Sequence, residues 1–170
     1  MYVRRAVGAD AAGIAEVHVR TWQSAYIDFF TPEYLEAMDR LLDQGALERR
    51  RATLEGADQT TFVAEEGEAI LGFAVVSPNR DGLAAEVGQL GAIYVHPDAW
   101  NQGVGAALLR EAERWLATEG FSSAILWTLG ANQRTRRFYE HNGWTFDGSE
   151  YLHESTQTLR VRYTKRLEAI

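Results

Sequence analysis

Between Leu90 and Leu116 an apolar strand, a His96-Pro97 loop and the run Gly103-Val104-Gly105-Ala106 lead straight into an amphipathic helix. After Gly105 the apolar residues Leu108, Leu109, Ala112, Trp115 and Leu116 recur at helical spacing, so the helix buries one face and holds its N-terminus rigidly. Ala124 to Leu129 is a further apolar run, bounded by Ser122-Ser123 and Gly130, and suits a buried strand parallel to the one before the helix. A chain built around such a β-α-β unit is expected to be an α/β protein with helices layered on a sheet.

The glycine turn also carries chemistry. Two glycines let the backbone approach a ligand closely, and the first helical turn leaves its amide N–H groups without internal partners, which makes an anion site. It does not fit the dinucleotide fingerprint, whose third small residue would fall on Leu108, nor the P-loop, which needs Gly followed by Lys and Ser or Thr.

The remaining elements are placed by periodicity and punctuation. Val3 to Val7 reads as an edge strand, and Asp10 as the N-cap of a helix presenting Ile14, Val17, Thr21 and Trp22. Thr31-Pro32 opens a second helix with Tyr34, Leu35, Met38, Leu41 and Leu42 as its stripe, ended by Gly45 before a third helical piece through Leu54. Thr61 to Ala64 and Ile70 to Val76 form a hairpin about Glu66-Gly67-Glu68; Val87 to Val95 is the next strand. Asn132 caps a helix that Asn142-Gly143 stops, and Trp144 to Phe146 and Thr158 to Lys165 are the last strands.

At 170 residues with no internal linker, one domain over 1–170 is expected. The lack of cysteine excludes disulfides, thiol nucleophiles and thiolate metal sites, and no metal is expected. Met1 to Arg5 lacks the apolar run of a signal peptide and no stretch is long enough to span a membrane, so the expectation is a cytoplasmic protein without a membrane partner. A net charge of −7 argues against nucleic acid and toward cationic partners. Arg49-Arg50-Arg51, flanked by Glu48 and Glu55, reads as a solvated helix face.

Ile93-Tyr94-Val95-His96-Pro97, the Gly103-Val104-Gly105-Ala106 turn, Asn132 and the block Phe138-Tyr139-Glu140-His141-Asn142-Gly143-Trp144 together resemble the GNAT superfamily of N-acetyltransferases in order and spacing. The resemblance implies a mixed, mostly antiparallel central sheet with helices on both faces, splayed open between the strand ending at Val95 and the strand ending near Leu129. It also implies an acetyl-CoA site in the splay. The amides of Gly103, Val104, Gly105 and Ala106 would hold the CoA pyrophosphate, and the strand Ile93, Tyr94, Val95 would pair with the pantetheine. The loop Trp100, Asn101, Gln102 departs from the family, which usually carries Arg or Gln where Trp100 stands. Arg137, among Arg134, Arg136 and Arg137, would meet the CoA 3′-phosphate, and Asn132 would orient the pantetheine or simply cap its helix.

The activity so implied is acetyl transfer from acetyl-CoA to a primary amine by direct attack within a ternary complex. The alternative is a non-catalytic acyl-CoA-binding or sensing module of the same fold. Tyr139 is the candidate proton donor to the departing thiolate, and the Val95 N–H the candidate oxyanion donor. Glu86 is the first choice for general base, followed by His18 and His96, because Gln89 cannot take a proton. Trp22 and Tyr26 are candidate acceptor contacts, the acceptor being a small-molecule or protein amine. The superfamily commonly forms homodimers.

Overall fold

The computed structural model describes residues 1–168. Its contacts gather into two compact units, one of Met1–Val76 with Ala92–Ala112, the other of Ser77–Gly91 with the chain from Glu113 onward.

In the first unit, β1 (Tyr2–Arg5) pairs antiparallel with β2 (Thr60–Glu66), and β2 with β3 (Ala69–Pro78) through a tight turn in which Gly67 takes a φ of 62°. The second half of β4 (Val87–Val95) follows beside β3, with the His96 N–H donating to the Leu71 carbonyl at 2.8 Å. The backbones run close here because position 72 is glycine: a Cβ would stand 2.8 Å from the Tyr94 carbonyl oxygen and 3.0 Å from Leu108. Helix α1 (Ala11–Ala25) sets Ile14 and Val17 into a core with Ala6, Val63 and Phe73. Two further helices, α2 (Pro32–Glu36) and α3 (Gln44–Glu55), precede β2, and α4 (Val104–Thr118) begins in this unit and ends in the other.

In the second unit, the first half of β4 pairs in parallel with β5 (Ser123–Leu129) over Val87–Leu90, which completes the expected β-α-β arrangement. Beyond β5 stand β7 (Thr158–Arg166) and then β6 (Thr145–His153), both antiparallel. Because β4 belongs to both units, the strands follow the order β1-β2-β3-β4-β5-β7-β6 in a mostly antiparallel seven-stranded sheet. Between β5 and β6 lies α5 (Gln133–His141). It ends in a Schellman motif: the Gly143 N–H donates to Glu140 and the Trp144 N–H to Tyr139, with Gly143 at a φ of 82°.

Several elements differ from the sequence expectation. The first strand stops at Arg5, because the Val7 N–H is taken by the Asp10 carboxylate; that carboxylate also receives the Arg4 guanidinium at 2.7 and 2.9 Å and so does not cap α1. Thr31 does cap α2, its hydroxyl accepting from the Tyr34 N–H. The helix then tightens to 3-10 geometry over Ala37–Leu42, and of its expected stripe only Leu35 is fully buried, with Tyr34 and Leu42 exposed. Gly45 lies in the first turn of α3 rather than ending the helix before it. The sixth strand runs to His153 instead of Phe146, with Gly148 at a φ of 88° where the register with β7 shifts.

Candidate active site

At the end of β4 the Val95 carbonyl accepts two hydrogen bonds, from the Thr21 hydroxyl of α1 at 2.9 Å and the Trp100 indole N–H at 2.7 Å. Both lone pairs are thereby used, and the indole has spent its one donor. The indole, standing where the family usually carries Arg or Gln, ties the loop back to the strand. The Gln102 amide likewise donates to the Asp98 carbonyl, at 2.8 Å, within the loop itself. The His96 Nδ1 accepts from the Asp98 N–H.

Beyond Trp100 the chain turns through two residues of positive φ, Asn101 at 63° and Gly103 at 80°, and both are exposed. The Ala107 N–H bonds back to the Gly103 carbonyl and closes the first turn of α4. The amides of Val104, Gly105 and Ala106 therefore lack intrahelical acceptors. Val104, Leu108, Leu109 and Ala112 are buried, so the helix that presents these amides is anchored along one face. Fifteen residues of α-helix extend about 22 Å, and their aligned dipoles add positive potential at this end. Such a terminus can bind a polyanion by main-chain donors alone.

On the other side of the β4 terminus, α1 turns His18 onto Tyr94, with the rings stacked at 5.0 Å and 13°. The His18 Nδ1 lies 3.2 Å from Arg50 Nη2. A guanidinium only donates, so Nδ1 accepts and the imidazole proton sits on Nε2. Burial first, and then the Arg50 charge, push this imidazole down to about 4. Trp22, one turn further along α1, packs against Tyr26, Phe30, Tyr34 and Tyr94, and its indole N–H is buried without a hydrogen-bond partner. An unmet buried donor costs about 1–3 kcal/mol. The structure thus brings Trp22 and Tyr26 into one aromatic cluster with His18 and Tyr94; the Thr21 and Arg50 contacts were missed in the sequence.

In the second unit Asn132 caps α5, its Oδ1 accepting from the Thr135 N–H at 3.1 Å. Tyr139 is 5% exposed and packed beside Phe138, Trp144 and Tyr163. A polar frame supports this cluster. The Trp144 indole donates to Glu113 Oε1 at 2.8 Å, and Lys165 Nζ bonds both Glu113 Oε2 and the Asn142 carbonyl. The Tyr163 hydroxyl donates to Glu140 and accepts from Arg136 Nε, which ties Arg136 into the fold, whereas Arg134 and Arg137 are exposed. None of Glu113, Lys165 or Tyr163 stood out in the sequence, because each acts through a partner distant along the chain.

Glu86 requires correction. It is exposed and precedes β4 at the opposite end from Val95; a nine-residue strand spans about 30 Å, so its carboxylate cannot serve a reaction beside Val95. Gln89 is engaged locally, accepting from the Arg80 N–H at 3.0 Å. His18 is also a poor base: with its proton affinity lowered so far, little driving force remains for removing a proton from an ammonium group. Among the described residues no cluster of His, Asp and Glu could hold a metal ion, and no helix is long and apolar enough to cross a membrane.

Comparison with known proteins bears on this arrangement. The model of the Acetyltransferase (GNAT) family matches residues 19–144. An uncharacterized N-acetyltransferase of Bacillus subtilis, YuaI, is 32% identical over 131 residues, covering 76% of this chain and 72% of its own length. A spermidine N(1)-acetyltransferase of Thermoplasma acidophilum is 22% identical over 157 residues, covering 89% of this chain and 94% of its own. Among solved structures, the PaiA N-acetyltransferase of Thermoplasma acidophilum in complex with coenzyme A superposes with a TM-score of 0.77 at 19% identity, over 97% of this chain and 98% of that one. A ribosomal-protein-alanine N-acetyltransferase of Brucella melitensis gives the same TM-score at 20% identity, over 98% of this chain and all of that one.

Proposed function

Because the chain belongs to the GNAT acetyltransferase family, we propose that it transfers the acetyl group of acetyl-CoA to a primary amine by direct attack within a ternary complex. The observation that carries this reading is the start of α4, where Gly103 turns the chain and the amides of Val104, Gly105 and Ala106 are left without internal acceptors above a buried helix face. These amides would hold the pyrophosphate. Asn101 and Gln102 would contribute backbone shape to the loop, and Ile93 and Tyr94 would supply main-chain partners for the pantetheine, because the Val95 carbonyl already accepts from Thr21 and Trp100. Arg137, exposed on α5, is the candidate for the 3′-phosphate, and the Asn132 amide for the pantetheine.

Acetyl-CoA would supply an activated thioester, and this chain's residues would supply position and protons. The Val95 N–H is assigned to the developing oxyanion, and Trp22 and Tyr26 to the acceptor. With Glu86 and His18 set aside, and the His96 Nδ1 already taken by the Asp98 N–H, the proton of the attacking ammonium is assigned to solvent water. Tyr139 is assigned to protonate the departing thiolate: a phenol of ordinary pKa about 10 stays protonated at neutral pH and can donate to a sulfur of about 8.5.

The test combines calorimetry with acetyl-CoA and release of free thiol over an amine panel. Gly105→Glu should abolish acetyl-CoA binding, through both bulk and charge, while Tyr139→Phe should lower kcat at least tenfold with acetyl-CoA affinity nearly unchanged. Retained binding in the glutamate variant would refute the cradle, and equal loss of kcat and affinity would refute the proton-donor role. Tight binding with no transfer to any amine would favour a non-catalytic acyl-CoA module.

A further inference from the structure

The basic run on α3 is not a uniformly solvated face. Ala46, Arg49, Arg50 and Thr53 follow helical spacing, and with Leu41 they line a cavity of about 220 Å³. Arg50 is half-buried, and among the described residues the one hydrogen-bond partner of its guanidinium is the His18 Nδ1. Neither Arg49 nor Arg50 has a carboxylate within ion-pair distance among the described residues.

Three other inward-turned cations do have such partners: Arg4 meets Asp10 and Glu65, Arg162 meets Asp81 and Asp147, and Lys165 meets Glu113; Arg136, without a carboxylate, is instead held by the Tyr163 hydroxyl and the Gly130 carbonyl. The chain has 24 acidic residues against 17 Lys and Arg, so carboxylates are plentiful. The nearest acid on this helix, Glu48, is held by Gln44 Nε2 at 3.0 Å. Two guanidiniums at one small cavity, one of them losing hydration, favour a negative ligand and repel a positive one. Burial pulls the Arg50 guanidinium below its ordinary value, as expected of a cation without a counter-ion. Planar guanidinium matches carboxylate in a two-bond fork.

Position ties the cavity to chemistry. Arg50 reaches Tyr94, the residue before Val95, through the single imidazole of His18. The volume is below the roughly 300–1,000 Å³ of a whole-ligand pocket, so it suits one end of a substrate. We propose that Arg49 and Arg50 form a subsite for the carboxylate of the acceptor, and that the acceptor is therefore an amine bearing a carboxylate, an amino acid or a peptide, rather than a polyamine. This rests on the acetyltransferase reading for the identity of the ligand and on the cavity alone for the binding of an anion.

Two measurements on the full chain separate these. In the first, acetate and inorganic phosphate are titrated separately into isotope-labelled protein without acetyl-CoA. Acetate should give saturable amide shifts confined to residues 46–53, weakened at least tenfold by Arg50→Gln and also by Arg49→Gln, whose exposed position spares the fold. Absent or unaltered shifts, or phosphate binding at least tenfold tighter than acetate, would overturn the subsite. In the second, kcat/KM is compared for matched acceptors, an amino acid and the amine formed by removing its carboxyl group. The wild type should prefer the amino acid at least tenfold, and Arg50→Gln should erase that preference by lowering kcat/KM for the amino acid at least tenfold more than for the simple amine. Acetate binding without such a preference would overturn the acceptor assignment; silence with every amine would instead count against the acetyltransferase reading and leave the first measurement to decide the subsite.

Discussion

The half-buried imidazole of His18 should make stability depend on pH. The folded protein holds this group down to about 4 against an ordinary 6.5, chiefly through burial and secondarily through Arg50. A depressed folded value means that the unfolded chain binds the proton first as the pH falls. The contribution is fully present above about pH 6.5 and is lost progressively toward pH 4. With each tenfold difference in proton affinity worth about 1.4 kcal/mol, linkage gives a loss of about 2 kcal/mol between pH 7 and pH 5, or about 1.5 after allowance for the solvent-facing edge of the ring. The perturbation is His18→Gln, whose side-chain oxygen can still accept from Arg50 but cannot titrate. Urea unfolding at pH 7, 6 and 5 should show the wild type losing 1.5–2 kcal/mol more than the variant across that interval, whatever the offset between them at pH 7. Parallel losses in the two proteins would refute the assignment of a half-buried, neutral His18.

Two further substitutions test the packing that positions the site. Gly72→Ala should destabilise the protein by about 1–3 kcal/mol in urea unfolding, because its Cβ would stand 2.8 Å from the Tyr94 carbonyl, a backbone atom that cannot simply turn away; a neutral effect would mean that β3 and β4 are not held so close. Trp144→Phe should cost about 2–4 kcal/mol by thermal or urea unfolding, since it removes the bond to the Glu113 carboxylate and part of a 1%-exposed side chain, and adding Glu113→Gln should cost less in that background than in the wild type.

Where the sequence carried a strong period or an unambiguous breaker, the structure could be read from it. The strand Val87–Val95 and the helix after Gly103 were legible because burial and periodicity agree: Leu108, Leu109, Ala112 and Leu116 are all buried. The sixth strand was not, because all but two of its residues are exposed and Asp147-Gly148 imitates a turn while lying within the strand. Nor could Asp10 be separated from an ordinary N-cap, since the competing claim on its carboxylate comes from the Arg4 guanidinium of the preceding strand.

The site divides along the same line. The α4 turn was readable because main-chain donors follow from local conformation, and conformation follows from glycine at 103. Side-chain roles were not, because they depend on which way a residue faces and what meets it. Trp100 was legible only as a departure from the family's Arg or Gln, and nothing local showed that its indole turns inward to the Val95 carbonyl. Glu86 has suitable chemistry at the wrong end of its strand. Arg50 carries the sharper lesson: in a run of three arginines it shares a helical phase with the half-buried Leu47 and Leu54, so the period of the inward-turned stripe already set it apart from the exposed Arg49 and Arg51. A charge in an apolar phase signals either an internal partner or a ligand, and the partner here is an imidazole that cannot neutralise it.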